Sequence, residues 1–374
     1  MPVSGDGRRK VLIVAEAPGR VEDEEGVQFI GNSGQHLRRC LRRIGVDVDR
    51  DCWKTNAVIC RPPNNEVTSK HVECCRPNLL RTVEELEPEK IVLIGGSAVE
   101  SLFGLRWRKG EPLGGIGRWV GWKIPDRRLN AWVCPTWHPA YLLREKDPVL
   151  QLWFDRHLEA AFKLEGRPWP GAERDLRKDV EVCFDADRAA ALLDELVEQD
   201  SDLPVAFDYE TNMLKPDGED ARIESCAVAM QFPEVGRPTA LAFSWLEPAV
   251  GAMGRLLHGD CPKWGWNIKF EERWTRRAFG QGVRRWEWDG MQAAHALDNR
   301  PKITSCKFQA FVRLGIDPWD SAVRPLLEAR RSNERNRIGE ADMEQLLMYN
   351  GMDALCEWWL CDLQRREMEE LSGA

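Results

Sequence analysis

The 374-residue sequence contains no apolar run near the ~18 residues that a membrane-spanning helix needs, and its longest early run, Val11 to Ala15, is too short for a signal-peptide core. These absences predict a soluble, cytoplasmic protein. Internal repeats and low-complexity segments are also missing, which excludes a fibrous repeat or a disordered tail. The twelve cysteines are scattered, with one cluster at Cys52, Cys60, Cys74 and Cys75. In a chain of this length that pattern predicts reduced thiols, with a metal site open at the cluster, rather than a disulfide framework. With 43% apolar and 30% charged residues, the chain can build roughly two to three domains with cores of their own.

The net charge of -8 is unevenly distributed. Residues 1 to 170 carry 27 Lys and Arg against 23 Asp and Glu, whereas the remainder carries 26 against 38. An acidic half that handles nucleic acid needs cations to screen the phosphates, so the asymmetry already points to divalent metal.

Lys10 to Ala15, Asn56 to Cys60 and Lys90 to Ile94 read as short buried strands, with stretches of helical period at Leu37 to Ile44 and Leu79 to Leu86 between them. This alternation predicts a parallel sheet covered on both faces, with ligands at the carboxyl ends of its strands. Unusual residues fall at those ends: Glu16 after the first strand, Thr55 and Asn56 in the second, and His138 after Trp132-Val133-Cys134. Gly166, Pro168, Pro170 and Gly171, followed by dense charge, mark a linker. The predicted organisation is one domain over 1–165, a linker over 166–178 and a second domain over 179–374. In the second, Asp185 to Glu198 reads as a helix, Pro204 to Asp208 and Ile223 to Met230 as neighbouring strands, and Met343 to Glu367 as a terminal helix.

Two constellations carry chemistry. The first begins with Ala15-Glu16-Ala17-Pro18-Gly19, continues through Gly26, Phe29, Gly31 and Gly34, and is completed by Thr55-Asn56, Cys60-Arg61-Pro62-Pro63 and Trp137-His138-Pro139-Ala140-Tyr141-Leu142-Leu143-Arg144. Taken singly, Phe29 fits ordinary core, Asn56 a cap or turn, His138 a structural histidine and Arg144 a solvated surface charge. In this order the four motifs resemble the uracil-DNA glycosylase superfamily, family 4 type, over about residues 8 to 165. The resemblance implies a three-layer α/β/α domain with a central parallel sheet that flips a base out of DNA and hydrolyses its N-glycosidic bond. Phe29 would stack on the base and Asn56 would read its polar edge. His138 would donate to the uracil oxygen as charge develops, a contribution of ~3 kcal/mol where such donors have been removed elsewhere. Glu16 and the backbone of its loop at Ala17 would place the water, and Arg144 would meet a phosphate. Ala15 and Gln28 stand where the family usually has glycine and proline. The family's [4Fe-4S] cluster uses four cysteines, two of them near the amino terminus, but no cysteine precedes Cys40. Cys60 and Cys75 match the other two positions, and half a ligand set does not hold the cluster unless loops bring in Cys52 and Cys74 to complete it.

The second constellation opens with Phe207-Asp208-Tyr209-Glu210-Thr211, whose two carboxylates share one face of a strand. Such a pair is costly unless a cation lies between them, although both could be solvated on an edge strand. Trp266-Asn267-Ile268-Lys269-Phe270-Glu271 and Tyr349-Asn350-Gly351-Met352-Asp353 follow, and the four-residue spacing of Tyr349 and Asp353 aligns them on a helix face. In this order, with Asp289-Gly-Met-Gln-Ala-Ala-His295 between them, the motifs resemble the 3′-5′ proofreading exonuclease of DNA polymerase I over about residues 178 to 370. The resemblance implies an RNase H-like α/β domain with a mixed sheet and a two-metal site. Asp208, Glu210 and Asp353 would ligate Mg²⁺ or Mn²⁺, Tyr349 would orient the attacking water, Glu271 would complete the acidic set and Asn267 would touch substrate. Glu271 replaces an aspartate, which predicts retuned cleavage.

A glycosylase-like domain ahead of a proofreading-like one resembles the amino-terminal part of certain bacteriophage family A polymerases. With only a short helical tail after Asp353, the resemblance implies a bifunctional DNA-processing enzyme of phage replication or repair, working on uracil-containing DNA and frayed 3′ ends beside a separate polymerase chain. The rival reading makes the first domain a reader of uracil or a modified base that recruits the nuclease without cutting.

Overall fold

The computed structural model describes residues 1–107, 111–171, 175–198, 202–232, 236–329, 331 and 334–373. The chain divides into two compact units, Met1–Glu173 with Phe311–Pro318, and Arg174–Ala310 with Trp319–Ala374.

In the first unit, β1 (Val11–Ala15), β2 (Cys52–Asn56), β3 (Lys90–Ile94), β4 (Ile124–Asp126) and β5 (Ala131–Thr136) form one sheet in the order β2-β1-β3-β5-β4. All neighbours are parallel except the edge strand β4, which runs antiparallel to β5. Successive β1 side chains point to opposite faces, so Val11, Ile13 and Ala15 pack with residues of the helices Asn32–Arg43 and Pro148–Lys163. Leu12 and Val14 point the other way and are equally buried, and the helix Gly96–Phe103 packs against β1 and β3. Helices on both faces make this a three-layer α/β/α unit.

The second strand differs from expectation: it spans Cys52–Asn56, four residues earlier than the apolar run suggests. Lys54 interrupts the hydrophobic pattern, yet it is buried because its ammonium pairs with Asp49. Beyond the strand, the Ala57 and Val58 N–H groups donate to the Ala15 and Glu16 carbonyls at 2.8 and 2.9 Å. The segment Phe311–Pro318 completes this unit, with the Phe311 ring edge-on to Phe103, Trp107 and Trp119 at centroid distances of 5.0, 5.5 and 5.7 Å.

The second unit has a six-stranded mixed sheet built from β6 (Val180–Cys183), β7 (Val205–Thr211), β8 (Ile223–Phe232), β9 (Arg237–Ser244), β10 (Lys263–Gly265) and β11 (Trp286–Asp289). Its order is β11-β10-β7-β8-β9-β6. An antiparallel meander β7-β8-β9 is flanked by β10 and β11, each parallel to its neighbour, an RNase H-like arrangement. Val205, Phe207 and Tyr209 face one core with the helices Ala186–Glu198 and Ala249–His258. Asp208 and Glu210 therefore face the opposite side, where the long helix Met343–Ser372 crosses the sheet. Gly351 permits that close crossing, since a Cβ there would lie 2.3 Å from Val180 Cγ1. Among the described residues no helix is long and apolar enough to cross a membrane.

Candidate active sites

In the first unit, a cleft of about 170 Å³ opens at the carboxyl ends of β1, β2 and β5. Glu16, Ala17, Phe29, Asn56 and His138 all line it, so the structure brings together residues from three segments well separated in sequence. Glu16 follows β1 directly, and its Oε2 accepts from Ser97 Oγ at 2.9 Å. Asn56 ends β2 and is buried. Phe29 adopts a left-handed backbone (φ 59°), which the surroundings hold in place. Arg38 Nε donates to its carbonyl at 2.8 Å, and a Cβ at Gly34 would lie 2.3 Å from its Cα, so that only glycine fits beside it.

His138 caps the helix Pro139–Glu145, its Nδ1 accepting the Ala140 N–H at 3.2 Å. A neutral imidazole that accepts at Nδ1 carries its proton on Nε2, leaving that N–H free to donate. Burial lowers the His138 pKa, Glu16 opposes that shift and Arg144 adds to it, so the ring is held neutral. Arg144 itself is exposed in the last turn of the same helix and does not line the cleft.

The cysteines do not offer a cluster site. Cys60 and Cys74 are exposed, Cys75 is half-buried, and Cys40 and Cys52 lie in the hydrophobic core. Among the described residues no cysteine joins a group of three or more convergent metal-ligating side chains. These residues do not fit a [4Fe-4S] cluster.

In the second unit, carboxylate oxygens of Asp208, Glu210 and Asp353 all lie within 4.8 Å of one another. Burial raises the pKa of all three, repulsion within the trio adds to the shift of Asp208, to about 8, and of Glu210, and for Asp353 the Lys307 charge opposes the effect of burial. Three acids held this close fit a hard divalent cation, which would replace the protons they otherwise retain. Asn350 Nδ2 donates to Asp208 Oδ2 at 2.7 Å. Lys307 pairs with Asp353 and donates to the Tyr349 hydroxyl at 3.3 Å. Burial works against the Lys307 charge, but Asp353 more than offsets this and its pKa is raised.

Tyr349 also lines a cleft of about 370 Å³ with Trp319, Met348 and Met352. Glu271 lies in the first turn of the helix Lys269–Phe279, outside the convergent trio, with its pKa raised by burial and by Asp208. Asn267 occupies a left-handed turn (φ 63°) before that helix, its N–H donating to Asp289 Oδ1 at 3.1 Å. Asn350 and Gly351 lie inside the quoted tyrosine motif and could have been found there; Lys307 and Ser97 carried no such signal.

Residues 2–163 match the Uracil DNA glycosylase superfamily. Over 164 residues the chain is 38% identical to the type-4 uracil-DNA glycosylase of Pyrobaculum aerophilum, an alignment covering 43% of this chain and 81% of the relative. The chain belongs to the uracil-DNA glycosylase superfamily. Its first unit is thus a type-4-like glycosylase domain in which Ala15 and Gln28 line the cleft. Solved structures similar to this chain include the catalytic core of RRP6 from Trypanosoma brucei (TM-score 0.38, 12% identity, covering 52% of this chain and 48% of that one). Another is Escherichia coli RNase D, an exoribonuclease (TM-score 0.35, 14% identity, covering 51% of this chain and 45% of that one).

Proposed function

We propose that this superfamily member is bifunctional, hydrolysing the N-glycosidic bond of uracil in DNA in its first unit and removing 3′-terminal nucleotides in its second. The observation that carries the first activity is the His138 tautomer: with Nδ1 engaged by Ala140, Nε2–H is the available donor for the uracil oxygen as negative charge develops on the base. Phe29 stacks on the flipped base, Asn56 reads its edge, and Glu16, steadied by Ser97, holds the water that attacks the sugar. Arg144, exposed near the cleft, takes a phosphate of the same strand.

The convergence of Asp208, Glu210 and Asp353 carries the second activity. These residues, with Glu271, would hold a pair of Mg²⁺ or Mn²⁺ ions, which when bound would supply an activated water and charge stabilisation for the leaving oxygen. The chain's own groups prepare that step. Asn350 fixes the Asp208 carboxylate, Lys307 fixes Tyr349 and Asp353, and the Tyr349 hydroxyl orients the attacking water. The cleft beside Tyr349, with Asn267 nearby in sequence to Glu271, receives the 3′ end. The cellular setting we infer is phage DNA replication or repair in a host cytoplasm, with a family A polymerase as a separate chain.

A uracil-containing oligonucleotide incubated in EDTA tests the first activity, because that chemistry needs no free metal. Abasic sites are expected; their absence across pH 5 to 9 leaves a base reader. A 3′-labelled single strand with Mg²⁺ or Mn²⁺ tests the second activity, where resistance to trimming would refute it.

A further inference from the structure

Gln28 stands directly before Phe29, lines the cleft and is 2% exposed. A buried primary amide is costly unless both of its ends find partners. Here Nε2 donates to the Pro2 carbonyl at 2.9 Å, and Oε1 accepts from Ser4 Oγ at 3.0 Å. The segment carrying Pro2 and Ser4 is thereby tied to the loop that presents Phe29.

That segment is anchored in turn to β2. The Ser4 N–H donates to the Lys54 carbonyl at 3.1 Å, and the Lys54 N–H donates to the Ser4 carbonyl at 2.8 Å. Asn56 follows two residues later on the same face of the strand. The Lys54 ammonium pairs with Asp49, which also pairs with the Arg38 guanidinium. Arg38 then returns to the loop, donating from Nε to the Phe29 carbonyl at 2.8 Å and from Nη2 to the Gln28 carbonyl at 3.1 Å. The contacts therefore close a circuit from Gln28 through Ser4, Lys54, Asp49 and Arg38 back to Gln28. Arg38 first, and then Lys54, hold the Asp49 carboxyl down to about 2 against the effect of its partial burial, so the circuit keeps its charges at neutral pH. It grips Phe29 in a left-handed backbone that bulky residues rarely adopt. Glu16 and His138 lean on other partners, Ser97 and the Ala140 N–H.

We propose that Gln28 is a positioning residue for base recognition: it fixes the spacing between the Phe29 ring and the Asn56 amide, and so sets how tightly the cleft holds uracil and how well it rejects cytosine. The two bases differ at the polar edge that Asn56 reads, and an amide held at a fixed distance from the stacked ring can tell an acceptor from a donor there. This assignment rests on the glycosylase reading of the first unit.

The test compares the full-length wild type with Gln28→Leu, which keeps the bulk and removes both hydrogen bonds, with Ser4→Ala, and with Ser4→Thr, which keeps the hydroxyl. Circular dichroism melting establishes that each is folded, and the Ser4 pair decides the matter if Gln28→Leu does not fold. Steady-state uracil excision is measured in EDTA. Binding is measured by fluorescence anisotropy on single strands carrying one 2′-fluoro-2′-deoxyuridine or 2′-fluoro-2′-deoxycytidine, whose fluorine resists glycosidic cleavage. Gln28→Leu should raise KM about tenfold with kcat little changed, and should narrow the preference for uracil over cytosine by a similar factor. Ser4→Ala should do the same by about threefold, and Ser4→Thr should restore wild-type values. An unchanged KM and base preference in folded Gln28→Leu and Ser4→Ala would overturn the proposal and leave the glycosylase reading standing, as would a loss confined to kcat. A wild type that prefers uracil in binding without excising it would overturn the catalytic reading alone, and the binding preference of the variants would still decide the role of Gln28. A wild type that neither excises nor prefers uracil would overturn both.

Discussion

Asn350 Nδ2 donates to Asp208 Oδ2 at 2.7 Å, and its Oδ1 accepts from Ser225 Oγ at 2.9 Å. The amide is thus locked at both ends and fixes the direction of a carboxylate on another element. Asn350→Ala should lower Mg²⁺-dependent 3′ trimming by about ten- to a hundredfold, in line with loss of a group that orients a ligand. Uracil excision by the same preparation should be unaffected. A rate close to wild type in a gel assay would show that Asp208 needs no such support.

His138→Ala should reduce uracil excision by about a hundred- to a thousandfold, the cost of losing one donor to a developing oxyanion. The wild-type pH profile follows from the same residue. The donor works as the neutral imidazole, and burial holds its pKa below the ordinary ~6.5. Excision rates measured in EDTA should stay level down through pH 6.5 and fall only where the pH drops through the lowered value. An acid limb centred above 6.5 would contradict this assignment.

Asp208→Ala should abolish 3′ trimming and spare uracil excision. A bound cation stabilises the folded state, by about 2.7 kcal/mol at a hundredfold excess over Kd, so Mn²⁺ should raise the Tm of the wild-type second unit. The shift should be small or absent in the variant. An equal Tm shift in both proteins, read by differential scanning fluorimetry, would place the cation elsewhere.

Gly351→Ala sets two effects in opposition. Alanine favours a helix over glycine by roughly 1 kcal/mol, but its Cβ would come within 2.3 Å of Val180 Cγ1. Valine is stiff about χ1, so the clash should dominate and cost about 1–3 kcal/mol net. Chemical denaturation should show the second unit destabilised, with 3′ trimming reduced along with it.

Local patterns made much of this legible in the sequence. Period 2 put Asp208 and Glu210 on one face, helical spacing aligned Tyr349 with Asp353, and the strand-end rule located Glu16, Asn56 and His138 around one cleft. What escaped notice depends on partners remote in sequence. Lys54 reads as a break in a strand until Asp49 pairs with it. Lys307 reads as a surface charge until Tyr349 and Asp353 enclose it.

The placement of Phe311 among Phe103, Trp107 and Trp119 bears on how this molecule can be divided. A polypeptide stopping at Glu173 would be missing an aromatic plug contributed from far downstream, and would expose the flank of two tryptophans to water. Subcloning at the glycine- and proline-rich junction should therefore yield a sticky, poorly expressed fragment, and restoring residues 311–318 in trans as a synthetic peptide is the natural remedy.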